Sequence, residues 1–340
     1  MTQREIAKKL NISPATLSLV LNNKPGLSTS MRERVITGLQ SIGQGALLKS
    51  IDSIINKNVA FIVFKRSGHI LDQSPFFSLI TESMYSYAQT LGYNMIMAFF
   101  DVREETEHQI AWLRTLSCAG AIVFATEMLN EDLKYFSALP YPCVFMDNFF
   151  ENRNVDSVAV DNSMGTFQLL EYLTSMGHQK IGYLKSSNFI HSFYERDMGF
   201  TSACLHFGAK FKSDWIFELP FSVEAAEKEM LHHLKNNKIL PTAFVSDDDI
   251  IAIGAIRALE SAGYTIPKDF SIVGFSNRPT SEYGVVSLTT IDIKASFGST
   301  AIKQLLSRIE SKILPPDEMV SVKSRIGTKL VVRDSVAAIS

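Results

Sequence analysis

The 340-residue sequence predicts a short all-helical head joined to a larger α/β core built as two lobes. Three observations carry that reading. Residues 1–43 hold three closely spaced helical patterns with cap signals. Beyond residue 58, apolar strand-like runs alternate with helical patterns, which implies parallel sheets covered by helices. At about 150 residues per domain the length suits two or three units, and the β–α run is too long for one comfortable doubly wound sheet.

In the head, Thr2-Gln3-Arg4-Glu5 fits a T-x-x-E capping box, so a helix starts there. Ile6, Ala7 and Leu10 form its apolar face, and Asn11 tolerates the left-handed conformation that ends a helix. Ser13 then offers an N-cap with Pro14 at the first helical position. Leu17, Val20 and Leu21 make the buried stripe of the second helix. A third helix follows from Ser28–Ser30, with Val35, Leu39 and Ile42 inward and Gly43 as its stop. Two helices joined by so short a turn read as a helix-turn-helix. The outward face of the second helix carries Pro14, Ala15, Thr16, Ser18, Leu19 and Asn22. Small side chains and hydroxyls allow close approach to a duplex, and hydroxyl or amide groups can donate to phosphates. A plain three-helix domain with a solvated outer face has the same spacing.

Charge is divided unevenly. Residues 1–58 hold eight Lys/Arg against three acids, a balance of +5. The rest holds 25 against 32, a balance of −7, so a basic head on an acidic body points to a polyanionic partner for the head. With 46% hydrophobic and 20% charged residues the chain reads as globular rather than disordered. No apolar run approaches the roughly 18 residues of a membrane span. The polar start Met1-Thr2-Gln3-Arg4-Glu5 lacks an apolar signal core, so a cytoplasmic location is expected. Cys118, Cys143 and Cys204 are odd in number and far apart, which argues against a disulfide framework or a cysteine zinc site.

The core elements follow in order. Strand-like runs are Val59–Phe64, Met95–Phe99, Ala121–Phe124, Cys143–Met146, Ile181–Leu184, Ala243–Ser246 and Ser271–Phe275. Helical patterns include Phe77–Leu91, Thr166–Met176, Glu195–Phe207, Ala225–Lys235 and Ile250–Ala262. Gly92, Gly177, Gly208 and Gly263 each follow such a helix and fit a left-handed stop. In two-lobed α/β proteins ligands bind at the carboxyl ends of the strands and between lobes.

The head motif Ile12-Ser13-Pro14-Ala15-Thr16-Leu17-Ser18-Leu19-Val20-Leu21-Asn22, preceded by Ile6-Ala7 and followed by Ser28 and Arg32-Glu33-Arg34-Val35, resembles the lac/galactose repressor family. Further matches span nearly the whole chain: Val160-Asp161-Asn162, Gly177-His178, Arg196-x-x-Gly199-Phe200, Ile272-Val273-Gly274-Phe275, Leu288-Thr289-Thr290-Ile291 and Val332-Arg333-Asp334-Ser335. The resemblance implies a core like that of periplasmic sugar-binding proteins. It implies that Pro14, Ala15 and Leu19 face base edges, and that Thr2, Ser13, Thr16, Ser18, Asn22 and Ser28 hold the DNA backbone. Leu19 departs from the Arg often found there, so readout through thymine methyl groups is expected.

The two-lobed fold and the same resemblance together give candidate effector contacts at Phe76, Phe77, Asn148, Arg196, Phe221, Asp248 and Ser276, the three Phe as rings that could stack on a sugar's apolar face. Arg196 offers a planar donor fork. Asp247-Asp248-Asp249 precedes a helix, where an acid also caps free N–H groups; the family usually has Asn at the position of Asp248. Ser276 stands where many members carry a sugar-binding Asp. Core packing is the plain alternative for the three Phe residues. The linker Gly43-Gln44-Gly45-Ala46-Leu47 lacks the family's Tyr, Pro and Asn, yet Leu47, Leu48, Ile51, Ile54 and Ile55 keep near-helical spacing that suits minor-groove insertion or packing.

Boundaries follow: 1–43 head, 44–58 hinge or linker, 59–340 core, with a first lobe of about 59–160 and 291–320 and a second of about 161–290 and 321–340. There is no G-x-G-x-x-G, Walker loop, H-E-x-x-H, nucleophile elbow or C-x-x-C, and the adjacent His232-His233 do not share a helix face. An enzyme is therefore not expected, nor a cofactor or metal. The expected protein is a homodimeric repressor that binds a pseudo-palindromic operator, with a sugar or sugar derivative as effector. The rivals are a regulator of the same fold without a sugar effector and a sugar-binding receptor.

Overall fold

The local signals of the head become three helices, α1 (Gln3–Lys9), α2 (Pro14–Leu21) and α3 (Thr29–Ser41). The computed structural model describes residues 1–21, 27, 29–44, 47, 57–72, 76–236, 239–293, 296–310 and 320–339; the side chains at 29, 30, 33, 71, 72 and 76–79 also lie outside the description. The capping box forms as read: the Thr2 hydroxyl accepts from the Glu5 amide, and the Thr2 amide donates to the Glu5 carboxylate at 2.8 Å. Asn11 has φ 52°, the left-handed turn that lets the chain reverse before Ser13. Ile6, Ala7, Leu17, Val20, Leu21, Val35 and Leu39 close a small apolar core. Leu47 packs against this cluster. Leu48, Ile51, Ile54 and Ile55 lie outside the described residues.

The chain divides into two units, Met1–Val59 with Ser117–Ala119, and Ala60–Leu116 with Gly120–Ser340. The second contains two six-stranded sheets. Its strands are β1 (Asn58–Lys65), β2 (Asn94–Asp101), β3 (Gly120–Phe124), β4 (Cys143–Met146), β5 (Asp156–Val160), β6 (Ile181–Ser186), β7 (Ile216–Leu219), β8 (Ala243–Ser246), β9 (Ser271–Ser276), β10 (Thr289–Asp292), β11 (Lys323–Ile326) and β12 (Lys329–Val331). The first sheet runs β11-β5-β4-β3-β1-β2, and the second runs β12-β10-β9-β8-β6-β7. Pairing is parallel at β3–β4–β5–β11 and at β7–β6–β8–β9–β10; β12 is antiparallel to β10. The glycine stops are all left-handed, with φ 74° at Gly92, 92° at Gly177, 69° at Gly208 and 92° at Gly263. At Gly177 space is decisive too: a Cβ there would stand 2.2 Å from the Ile339 carbonyl oxygen.

The late lobe boundaries move. Residues 291–320 were expected in the first lobe and 321–340 in the second. Helix Ser296–Glu310 does pack on β3, β4 and β5 of the first sheet, but β10 belongs to the second sheet and β11 returns to the first sheet beside β5. After β11 the chain enters the second lobe again between Ile326 and Lys329. The sequence Lys-Ser-Arg-Ile of β11 has no apolar run, because an outer strand needs few buried side chains, so nothing in its pattern announces it.

Candidate functional site

Thr2, Ser13, Pro14 and Ala15 are exposed; Thr16, Ser18 and Leu19 are half-buried at the margin of the stripe Leu17, Val20 and Leu21. The Ser13 hydroxyl accepts from the Thr16 amide at 2.9 Å and lies 2.8 Å from the Thr16 hydroxyl, so it caps α2 while remaining at the surface. Arg4, Lys8, Lys9 and Arg34 are exposed and supply positive charge. Asn22 and Ser28 lie outside the described residues.

In the core, the carboxyl ends of strands from both sheets meet at a cavity of about 40 Å³. Thr126 and Asp147, after β3 and β4, line it from the first lobe; Ser192, Phe193 and Arg196, on helix His191–Phe207, line it from the second, with Phe221, Asp248, Ser276 and Arg278. Ile70 reaches from the first lobe into the apolar cluster of the second, against which Ile190, Phe193 and Phe221 also pack. Its loop is pinned by Glu127, whose carboxylate accepts from the amides of Arg66, Ser67, Gly68 and Ile70 at 2.8–3.2 Å. Burial works against the charge of Glu127, but these amides hold its carboxyl below the usual range.

Backbone strain gathers at these strand ends. Asp147 has φ 71°, Phe150 50°, Ser276 110° and Asn277 48°. Non-glycine residues in this region cost free energy and persist where the surroundings over-determine them.

Arg196, Phe221, Asp248 and Ser276 all line the cavity. Arg196 donates from Nε to Asn162 Oδ1 at 2.9 Å and from Nη1 to the Asp247 carbonyl. Its guanidinium carbon lies 3.7 Å from the centre of the Phe275 ring. Asp248 is already engaged. It caps helix Asp249–Ser261 by accepting from the Ile250 amide at 3.0 Å, accepts from the Ser276 hydroxyl at 2.8 Å, and takes Arg278 Nε and Nη2 at 2.7 and 3.1 Å. Both members of the Asp248–Arg278 pair are buried.

Asn148 does not line the cavity. It is buried behind the strand end, donating to the Met128 carbonyl at 2.9 Å and accepting from the Phe150 amide at 3.3 Å. The left-handed turn at Asp147 puts that residue, one earlier, into the cleft instead. Its carboxylate accepts from the Thr126 hydroxyl at 2.6 Å. Burial raises its pKa to about 6 against the pull of that hydroxyl and Arg196. Phe76 and Phe77 open a helix, but their side chains lie outside the described residues.

Two further acids sit beneath the cleft. Asp247 accepts from Tyr183 Oη at 2.5 Å and from the Ser186 amide at 2.6 Å. Asp249 accepts from Ser281, Thr290 and the Arg278 amide. Burial pushes each carboxyl up to about 7, and for Asp249 the charge of Asp248 adds to it. Arg278 was missed in the sequence: an Arg three residues past a strand carries no periodic signal.

The cleft sets an acid of the first lobe, Asp147, near a guanidinium of the second, Arg196. No helix among the described residues is long and apolar enough to cross a membrane.

A periplasmic binding protein-like domain model matches residues 170–336. The chain is 27% identical to the HTH-type transcriptional repressor PurR of Mannheimia succiniciproducens, over 100% of this chain and 99% of that one. It is also 27% identical to the PurR repressor of Haemophilus influenzae, over 99% of each. Among solved structures, the transcriptional regulator CelR–cellobiose complex superposes with a TM-score of 0.71 at 20% identity, covering 98% of this chain and 99% of that one. The lac repressor dimer bound to operator and the anti-inducer ONPF gives 0.69 at 21%, over 99% of each.

Proposed function

From the premise that the chain belongs to the lac/galactose repressor family, we propose that it is a cytoplasmic, homodimeric repressor of a carbohydrate-utilisation operon. Two heads read a pseudo-palindromic operator, since dimers set two recognition helices one helical turn apart. The outer face of α2, free of the head's core, carries this reading. A small molecule held between the lobes of the core shifts the protein between conformations of unequal DNA affinity. A sugar is the effector class, which the cellobiose named in the CelR complex supports. Phe76, Phe77, Arg196, Phe221, Asp248 and Ser276 are the proposed contacts, and Asp147 joins them in place of Asn148.

Salt tests the DNA side. If each dimer neutralises roughly 6–10 phosphates, affinity for its promoter fragment falls about 10³–10⁵-fold between 50 and 200 mM salt. A salt-insensitive association would refute the docking. Calorimetric titration with a carbohydrate panel tests the effector side.

A second reading is favoured by one observation: the cavity of about 40 Å³ has room for a water or two rather than a sugar. Its second-lobe wall is tied together by the protein's own Arg278–Asp248 pair. In that reading the repressor acts without a sugar. No heat with any sugar, together with unaltered DNA affinity, would select it.

A further inference from the structure

A run of hydrogen bonds leaves the cleft and ends at the strands where the chain crosses between lobes. It starts at Arg196, whose Nε donates to Asn162 Oδ1 at 2.9 Å. Asn162, the first residue of the helix that follows β5, passes the contact on: its Nδ2 donates to Glu195 Oε2 at 2.7 Å. The other oxygen of Glu195 accepts from Arg325 Nη2 at 2.7 Å. Arg325 lies in β11, so this last contact joins a helix of the second lobe to the outer strand of the first sheet. Arg325 also donates from Nη1 to the carbonyl of Val160, where β5 ends, at 3.4 Å. Its guanidinium carbon sits 3.7 Å from the centre of the Phe149 ring.

Glu195 therefore touches two of the passages from the first lobe to the second: the one after β5 through Asn162 and the one after β11 through Arg325. Its carboxylate is buried, and burial alone would raise its pKa. The His191, Arg325 and Asn162 side chains outweigh that and hold it at about 2, so it stays charged. Donor atoms of Glu151, His191 and Glu195 lie within 4.8 Å of one another, a spacing that suits a cation. The Arg325 guanidinium already fills that role, 2.7 Å from Glu195 and 4.0 Å from Glu151.

Arg196 and Glu195 are adjacent on one helix. One points to the cleft, the other to the crossing, and Asn162 ties them. Anything that shifts Arg196 acts on a side chain already bonded to the crossing. We infer that Glu195 is a positioning residue, which turns a displacement of Arg196 in the cleft into a change of angle between the lobes by its grip on Arg325. The inference rests on reading the cleft as the effector site. A contiguous network proves coupling only when its members are perturbed together.

The test uses the full chain with Cys143→Ser and spin labels at Glu104→Cys and Lys235→Cys, exposed positions in the first and second lobes. Pulsed electron resonance reads the distance between them, with neither effector nor operator present. Glu195→Gln and Arg325→Gln are each expected to shift the distribution or at least double its width. The double variant should go no further than either alone. Arg325→Lys, which keeps the ion pair, should stay within the wild-type width. Arg196→Lys loses the Nε contact to Asn162 while keeping the charge; it should reproduce the Glu195→Gln change and add nothing to it. Unchanged distributions in Glu195→Gln and Arg325→Gln, or additive shifts, overturn the proposal. Should Glu195→Gln fail to fold, the partly exposed Arg325→Gln combined with Arg196→Lys decides it by the same criterion. Failure of every sugar to bind would remove the effector reading and leave these distances as they are.

Discussion

Arg278→Met asks how much the wall of the cleft depends on one buried ion pair. The substitution leaves Asp248 with two donors, the Ile250 amide and the Ser276 hydroxyl, and removes both guanidinium bonds. The side chains of Arg278 and Asp248 are 5% and 4% exposed, so water does not replace the lost partner. Removing one member of a buried pair costs about 3–5 kcal/mol. The Arg278 amide still donates to Asp249, which preserves the turn and argues for the lower end of that range. At ~2–4 °C per kcal/mol for a large domain, the core transition should fall by about 6–12 °C. Adding Asp248→Asn removes the stranded charge while keeping a good N-cap, so roughly half of the loss should return. Differential scanning calorimetry of the full chain and both single variants completes the cycle, with the core transition followed by itself because two units need not melt together. An Arg278→Met transition within about 1 °C of wild type, or losses that simply add in the double variant, would refute the coupling of Arg278 to Asp248.

Three further outcomes follow. Gly177→Ala should destabilise the core by about 3 kcal/mol, since a left-handed L-residue costs ~1–2 kcal/mol and the clash with Ile339 adds more; Gly208→Ala, with nothing within 4 Å of its Cβ, should lose only the first part, and equal losses in paired melts would contradict this. Core stability should decline as pH rises from about 4 to 7, because Asp147, Asp247 and Asp249 keep protons in the folded state that the unfolded chain has released. Below that window the low pKa of Glu195 acts oppositely, with stability lost as pH falls toward 2, and Asp249→Asn should flatten the upper slope in melts taken across pH 4.5–8. Leu19→Arg should move operator preference toward G·C at one position of each half-site; an unchanged selection profile would reject α2 as the reading helix.

Much of the fold was legible because its signals are local. The T-x-x-E box, Asn11, the Ser13-Pro14 start and the glycine stops each act within a few residues of themselves. Each appears in the structure as a cap or a left-handed turn. Arg196, Phe221, Asp248 and Ser276 were legible through motifs that hold their place relative to strand ends. Asn148 was misread for a geometric reason: a single left-handed residue at Asp147 shifts which side chain enters the cleft, and the sequence alone does not reveal that backbone angle.

What the sequence by itself determined is the order of elements, the caps and stops that bound them, the uneven charge of head and core, and the face of α2 that stays clear of the head's core. Only the tertiary structure decided that β11 returns to the first sheet, that Ile70 enters the second lobe's apolar cluster, and that Asp248 is claimed by Arg278. Only there do Glu195 and Arg325, 130 residues apart, meet at 2.7 Å. Caps and periodicities are short-range effects of backbone geometry, whereas the partner of a buried charge is chosen by which distant elements pack beside it.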